Sequence, residues 1–86
     1  MADISPLKNL TNLQLLGLVG TGVADITPLQ NLTNLQWLDL SRTLVADITP
    51  LKNLTNLQVL ELRETGLSEE DIASLKAALP NTQILF

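Results

Sequence analysis

Residues 35–45 read LQWLDLSRTLV, and this stretch decides the fold. Its fixed positions are those that recur along the chain, namely Leu35, Leu38, Leu40, Thr43 and Val45. The same frame begins at Leu13 before this stretch and at Leu57 after it, at equal distances in the sequence. A pattern that returns with a constant period of this length predicts an array of short stacked units, in which no unit can bury its apolar face alone.

Almost the whole chain follows this frame. Three 22-residue repeats, residues 2–23, 24–45 and 46–67, open with Ala-Asp-Ile and a Ser-Pro or Thr-Pro pair. The leucine spacing resembles that of bacterial leucine-rich-repeat proteins of the internalin type. Those proteins usually carry asparagine where this chain has Thr21, Thr43 and Thr65. The repeats are nearly identical, which fits a recent duplication and equally fits a consensus-derived, engineered array.

The resemblance implies an α/β fold, a right-handed leucine-rich-repeat solenoid in the shape of a short horseshoe. A parallel sheet lines its concave face and short 3-10 turns line its convex face. We expect strands at about residues 14–18, 36–40 and 58–62, with alternate leucines pointing inward. The hydroxyl residue before each proline is expected to cap a 3-10 turn, because the run that follows is too short for an α-helix. The three threonines are expected to stack beneath the sheet.

Residues 68–86 depart from the repeat and predict a C-terminal cap. Ser68 and Asp71 fit a capping box, and the acidic residues in this first turn suit the positive end of a helix dipole. The sequence therefore predicts an α-helix from about residue 69 to residue 79. The ending NTQILF then echoes residues 56–61, which aligns Ile84 with Val59 and predicts a fourth strand at about 83–85. Residues 1–86 are expected to form a single domain.

Composition argues against catalysis and cofactors. The chain has no histidine and no cysteine, so its serines have no base of the usual hydrolytic kind, and there is no phosphate loop or cluster of metal ligands. The net charge of −4 argues against nucleic acid and against an anionic membrane surface. No segment has the length of a membrane-spanning helix. We expect neither enzyme activity nor a cofactor, and the sequence assigns no compartment.

Two sets of carboxylates are candidates for chemistry. Asp39 and Glu61 occupy equivalent outward positions on neighbouring strands, where they could act as an acid–base pair or hold a cation. The favoured interpretation is that they are solvated and balanced by nearby Arg42 and Arg63. The second set recurs in every repeat, which favours turn capping over ligand binding; it consists of Asp3, Asp25 and Asp47.

The positions that differ between repeats fall on the outward face of the predicted sheet. Variation concentrated there, over a constant scaffold, is typical of a binding surface. Tryptophan and arginine are favoured at the centres of interfaces, although Trp37 could also just cover neighbouring leucines. The resemblance implies protein partners on the concave face. The expected binding residues are Leu15, Trp37, Asp39, Arg42, Val59, Glu61 and Arg63.

The alternative function is self-assembly, as a structural or engineered scaffold. The chain starts inside a repeat, so we expect a fragment or an engineered protein with no signal peptide and an uncapped first coil. An open edge strand favours pairing with another chain, which predicts a homodimer or higher homo-oligomer. A truncation without biological meaning explains the same edge. The residues expected at this edge are Ile4, Leu7, Leu10, Leu13, Leu15 and Val19.

Overall fold

The computed structural model describes residues 3–86 and shows the repeats as coils of one solenoid. Four parallel strands form one sheet in chain order: β1 (Leu15–Gly17), β2 (Trp37–Asp39), β3 (Val59–Glu61) and β4 (Gln83–Leu85). The 3-10 turns lie at Ser5–Asn9, Thr27–Leu29 and Thr49–Leu51. Helix α1 (Glu69–Ala78) connects β3 to β4. The predicted α/β solenoid with a C-terminal helical cap is therefore confirmed, whereas the repeat boundaries stay a prediction.

Residues that are one repeat apart in the sequence pair on neighbouring strands, as predicted. Leu16 pairs with Leu38, and Leu38 pairs with Leu60. The regular strands are shorter than predicted, but the ladder continues past their ends, since the Leu40 N–H donates to the carbonyl of Glu61 at 2.8 Å.

The fourth strand is confirmed at residues 83–85, but its pairing is offset by one residue from the sequence echo. Ile84 pairs with Leu60, not with Val59. Because side chains alternate across a strand, a shift of one residue would turn Ile84 away from the core. In the observed register Ile84 is half-buried against the core, so the apolar side chains of the cap pack against the neighbouring third coil.

A column of leucines fills the solenoid. Leu38 and Leu60 are fully buried, and so are Leu29 and Leu51 of the 3-10 turns on the other side of each coil. Burying a side chain of this size contributes roughly 1.5–3 kcal/mol. Each leucine packs within a coil and against the coils beside it, so the array gains most of its stability from stacking.

The 3-10 turns begin at the predicted sites, but the predicted hydroxyl cap is wrong. The Thr27 hydroxyl does not accept from the turn; it donates to Asp25 Oδ1 at 2.6 Å. Asp25 Oδ1 also accepts the Thr27 N–H at 3.0 Å, and Asp3 and Asp47 do the same for their own turns. The aspartate lies two residues before the N–H, where its carboxylate can close a side-chain turn. Turn capping by the aspartate row is thereby confirmed.

These caps predict a loss of stability in acid. Hydrogen bonds from the hydroxyl of residue i+2, then from its backbone N–H, lower the pKa of Asp3, Asp25 and Asp47. A lowered pKa in the folded chain means that the stabilisation is full above the unfolded value, near 3.8, and falls as the pH drops through the folded value. We expect urea midpoints to fall below about pH 4. The double variant Asp25→Asn/Asp47→Asn should show a shallower acid dependence, and an unchanged slope would contradict this prediction.

Threonine and asparagine divide two tasks between them. The Thr43 hydroxyl donates to the carbonyl of Leu40 at 2.7 Å, within its own coil, and Thr21 and Thr65 make the equivalent bond. The link between coils comes from asparagine, because Asn34 Nδ2 donates to the carbonyl of Thr11 and Asn56 Nδ2 to that of Thr33. The threonines thus close single coils, and the asparagine amides connect successive ones.

The cap helix begins as predicted. Ser68 Oγ accepts the Asp71 N–H, and Asp71 Oδ2 accepts the Ser68 N–H, which completes the capping box. Helix α1 ends at Ala78, one residue before the predicted end, because Leu79 already has a non-helical conformation before Pro80. Leu75 is fully buried against the solenoid, so the helix covers the end of the leucine column.

Candidate functional site

The candidate site is the sheet surface that faces away from the leucine column. The strand register sets its outward side chains in two rows that cross β1, β2 and β3. The first row is Leu15, Trp37 and Val59, and the second is Gly17, Asp39 and Glu61. We call these six residues the open sheet face. Five of the seven residues predicted to bind a partner lie on it, and the other two, Arg42 and Arg63, follow the strands.

Trp37 lies across this face and is held from both sides. Its indole Nε1–H donates to Glu61 Oε2 on β3 at 3.1 Å. On the other side its ring covers Gly17 on β1, where an added Cβ would lie 3.6 Å from the ring. The tryptophan is half-buried, while its neighbour Leu15 is 66% exposed. The indole therefore packs over β1 and forms an aromatic platform beside an exposed leucine.

Asp39 and Glu61 stand side by side on adjacent strands. One oxygen of each is already engaged, because Asp39 Oδ1 accepts the Ser41 N–H at 2.9 Å and Glu61 Oε2 accepts from Trp37. The expectation that arginine balances the two carboxylates is wrong. Within residues 3–86 neither forms an ion pair, and Arg42 bonds Glu64 instead, with its Nε 2.7 Å from Glu64 Oε2. The charge on the open sheet face is therefore negative.

Arg42 and Glu64, which form this ion pair, share an unusual backbone conformation. Arg42 has φ 59° and Glu64 has φ 57°, and the equivalent Gly20 has φ 69°. This left-handed conformation is unusual for residues other than glycine. The equivalence with Gly20 signals the conformation in the sequence, and the spacing of one repeat places the two opposite charges on neighbouring coils.

Ser41 is a further residue that the expected binding set leaves out. It is 8% exposed, and its Oγ accepts the Arg63 N–H at 3.1 Å. Its own N–H holds Asp39. Ser41 thus fixes a carboxylate on one strand and the backbone of an arginine on the next, a role that its place among the varying positions does not reveal.

The first coil carries the predicted edge. Leu10 and Val19 are about half exposed, and with Leu15 they leave apolar surface open beside β1. Ile4, however, is 8% exposed, so it offers no surface for contact. Leu7 and Leu13 are half-buried against the core. Leu44 and Phe86 are exposed elsewhere, and the Lys76 ammonium lies 4.6 Å from the Phe86 ring.

Among residues 3–86, no three acidic groups approach one another closely enough to hold a metal ion. Across the same residues, no helix has the length and apolar character needed to cross a membrane.

Comparison with known proteins agrees with the geometry. A family model described as leucine-rich repeats (two copies) matches residues 33–77, whereas no curated protein matches the chain. The fold is similar to a crystal structure of an internalin from Listeria monocytogenes, with a TM-score of 0.86 and 35% identity over 98% of this chain. It is also similar to internalin C2 of that organism, with a TM-score of 0.82 and 39% identity over 96% of this chain.

The chain spans 24% of the first internalin and 35% of the second. The leucine frame, the parallel sheet and these similarities agree, and the chain therefore belongs to the leucine-rich-repeat family, with internalin-like repeats.

Proposed function

We propose that the chain is a non-catalytic protein-recognition module that binds its partner through the open sheet face. The observation that carries this proposal is Trp37, which is laid flat between Gly17 and Glu61 and lies next to the exposed Leu15. A rigid aromatic anchor in the middle of a surface is the usual centre of a protein interface. Because the anchor is already held, a partner does not have to order it.

The surroundings of Trp37 support the same proposal. The two rows combine apolar side chains with carboxylates, and Arg63 is exposed just beyond the end of β3. Strands and a packed core hold all of these residues in place, which suits a site whose geometry has to be exact enough for recognition. The residues proposed to contact a partner are Leu15, Trp37, Asp39, Arg42, Val59, Glu61 and Arg63.

The test is a binding series with a purified partner. Proteins captured by the chain are purified and titrated against Trp37→Ala, Arg63→Ala and the control Gln30→Ala, which alters an exposed residue after a 3-10 turn. We expect Trp37→Ala to weaken binding at least about tenfold, as for an interface centre, and the control to change it less than about twofold. A partner that binds both sheet variants as tightly as the unaltered chain would contradict the proposal.

Self-association through the first coil is the second candidate function. It is favoured by the exposure of Leu10, Leu15 and Val19 beside β1, whose pairing within residues 3–86 is with β2 alone. Apolar side chains next to an edge strand favour pairing with a second copy of the chain. The exposed leucine of β1 would then lie at a contact between two sheets, across a two-fold axis.

Sedimentation of the purified chain tests this candidate. We expect a dimer at high micromolar concentration and a shift to monomer in Val19→Glu, because a charge at the edge disfavours apolar pairing. Leu44→Glu, which changes an exposed residue of another coil, serves as the control. A monomer at every concentration would rule out self-association without affecting recognition through the open sheet face.

A further inference from the structure

We propose that the open sheet face binds an extended segment of its partner in which an apolar, a basic and an acidic side chain follow one another at every second position. The inference rests on the proposed function and adds the chemistry of the partner. It follows from the order of side chains along the strands: the apolar row, then the acidic row, and then Arg63 beyond the end of β3.

The first row supplies an apolar contact. Leu15, Trp37 and Val59 are neighbours in register, with Leu15 66% exposed and the other two half-buried. An apolar side chain of the partner would lie against the indole and the leucine. Its burial removes apolar surface from water, which favours binding.

The second row supplies the charge that a basic side chain requires. Asp39 and Glu61 lie on adjacent strands, and their backbones are about 4.8 Å apart. The oxygens that face Ser41 and Trp37 are engaged, and the second oxygen of each carboxylate accepts no hydrogen bond from residues 3–86. The engaged bonds orient both groups, and the remaining oxygens can accept from one ammonium or guanidinium group. The neighbouring indole favours the same cation.

Arg63, beyond the acidic row, carries the opposite charge. Arg63 follows Glu61 by two residues, is exposed, and forms no ion pair within residues 3–86. Arg42, by contrast, is already neutralised by Glu64. A basic side chain of the partner is therefore favoured beside Glu61 and disfavoured beside Arg63, where an acidic one fits.

The spacing of the rows sets the spacing in the partner. Rows two residues apart along a strand are separated by about 6.7 Å. An extended peptide that runs along the strands places every second side chain at the same interval. A bound calcium ion is a poorer fit, since it takes six to eight oxygen ligands and no three acidic groups of residues 3–86 form a metal-binding cluster.

A phage-displayed library of random twelve-residue peptides provides the probe. It is panned on the unaltered chain and on Asp39→Asn/Glu61→Gln, in which both amides can still accept the bonds from Ser41 and Trp37. The matched control is Glu69→Gln/Glu70→Gln, which removes the same charge from exposed residues of helix α1. Circular dichroism checks that each variant is folded, and Trp37→Ala and Arg63→Ala test whether a peptide binds at the sheet.

We expect the unaltered chain to enrich peptides in which an apolar, a basic and an acidic residue follow one another at every second position. Their affinity should fall about tenfold in Asp39→Asn/Glu61→Gln, or roughly threefold for each exposed carboxylate, and less than about twofold in the helix control. The loss should shrink at high salt, because ions screen exposed charges.

Different outcomes would overturn this inference and the proposed function. Peptides that need Trp37 but show no basic preference, or that bind the doubly neutralised chain equally well, would overturn this inference and leave the proposed function standing. Peptides that bind regardless of Trp37 and Arg63 would count against both. A library without enriched peptides would also overturn the inference, since an extended segment should be found there, while the titration of folded partners would still test the open sheet face.

Discussion

Replacing Leu38 by alanine should destabilise the chain by about 2–5 kcal/mol. Leu38 is fully buried at the middle of the leucine column, and its strand pairs with both β1 and β3. The cavity cannot close by movement of one coil, because the neighbouring leucines are fixed by the same strand register. Urea unfolding followed by Trp37 emission and by circular dichroism measures the loss.

The matched control is Leu44→Ala. This leucine belongs to the same repeat as Leu38 but is 69% exposed. Its truncation should therefore change the free energy of unfolding by about 0.5 kcal/mol or less. Equal losses for the two variants would mean that Leu38 does not lie in a packed column.

The second large effect is expected at the cap, where Leu75→Ala should also destabilise the chain by about 2–5 kcal/mol. Leu75 is the fully buried residue of helix α1, and Ile72 beside it is 6% exposed. Helix α1 covers the last coil. If the variant loosened this helix, the end of the leucine column would be exposed to water. The exposed Lys76→Ala is a suitable control on the same helix.

Two probes show how far the effect spreads. Circular dichroism at the helix band reports on α1, while the single tryptophan reports on the second coil. Repeat proteins transmit stability through neighbouring contacts, and an array this short should unfold as one unit. We expect both signals to change at the same urea concentration in the unaltered chain. Separate transitions would show that the cap unfolds independently of the coils.

The sequence predicted the fold because the repeat encodes it redundantly. The frame around Leu38 returns in each repeat, and a strand with inward leucines is the arrangement that buries all of them together. The capping box at Ser68 and the prolines of the 3-10 turns are local signals that need no knowledge of the neighbours. These elements lie within a residue or two of their predicted positions.

The errors fall where the repeat stops or where a side chain has a choice of partners. The echo of residues 56–61 in the last strand suggested one register, but the insertion of helix α1 changes the spacing and Ile84 pairs with Leu60. The hydroxyls of Ser5 and Thr27 were expected to cap, yet the nearby aspartates are better acceptors and take that role. Packing decides the register of the last strand, and competition between acceptors decides which side chain caps the 3-10 turns.

The open sheet face was predicted in outline. Alternation placed Trp37, Asp39 and Glu61 outward, and the register confirms that the latter two are neighbours. The bond between the indole and Glu61 depends on a rotamer that crosses from one strand to the next. No pattern in a single sequence specifies such a choice, because several partners lie within reach of the same side chain.

The division of tasks between Thr43 and Asn34 bears on how such a protein changes length. The first three coils are each closed by their own threonine, and an asparagine amide adds to the strand ladder a bond to a backbone carbonyl of the coil before it. An additional copy of residues 24–45 would bring both parts with it. The sheet would widen by one strand, about 4.8 Å, and gain a fresh set of outward side chains. Duplication can thus enlarge the surface in fixed increments while the existing side chains keep their neighbours.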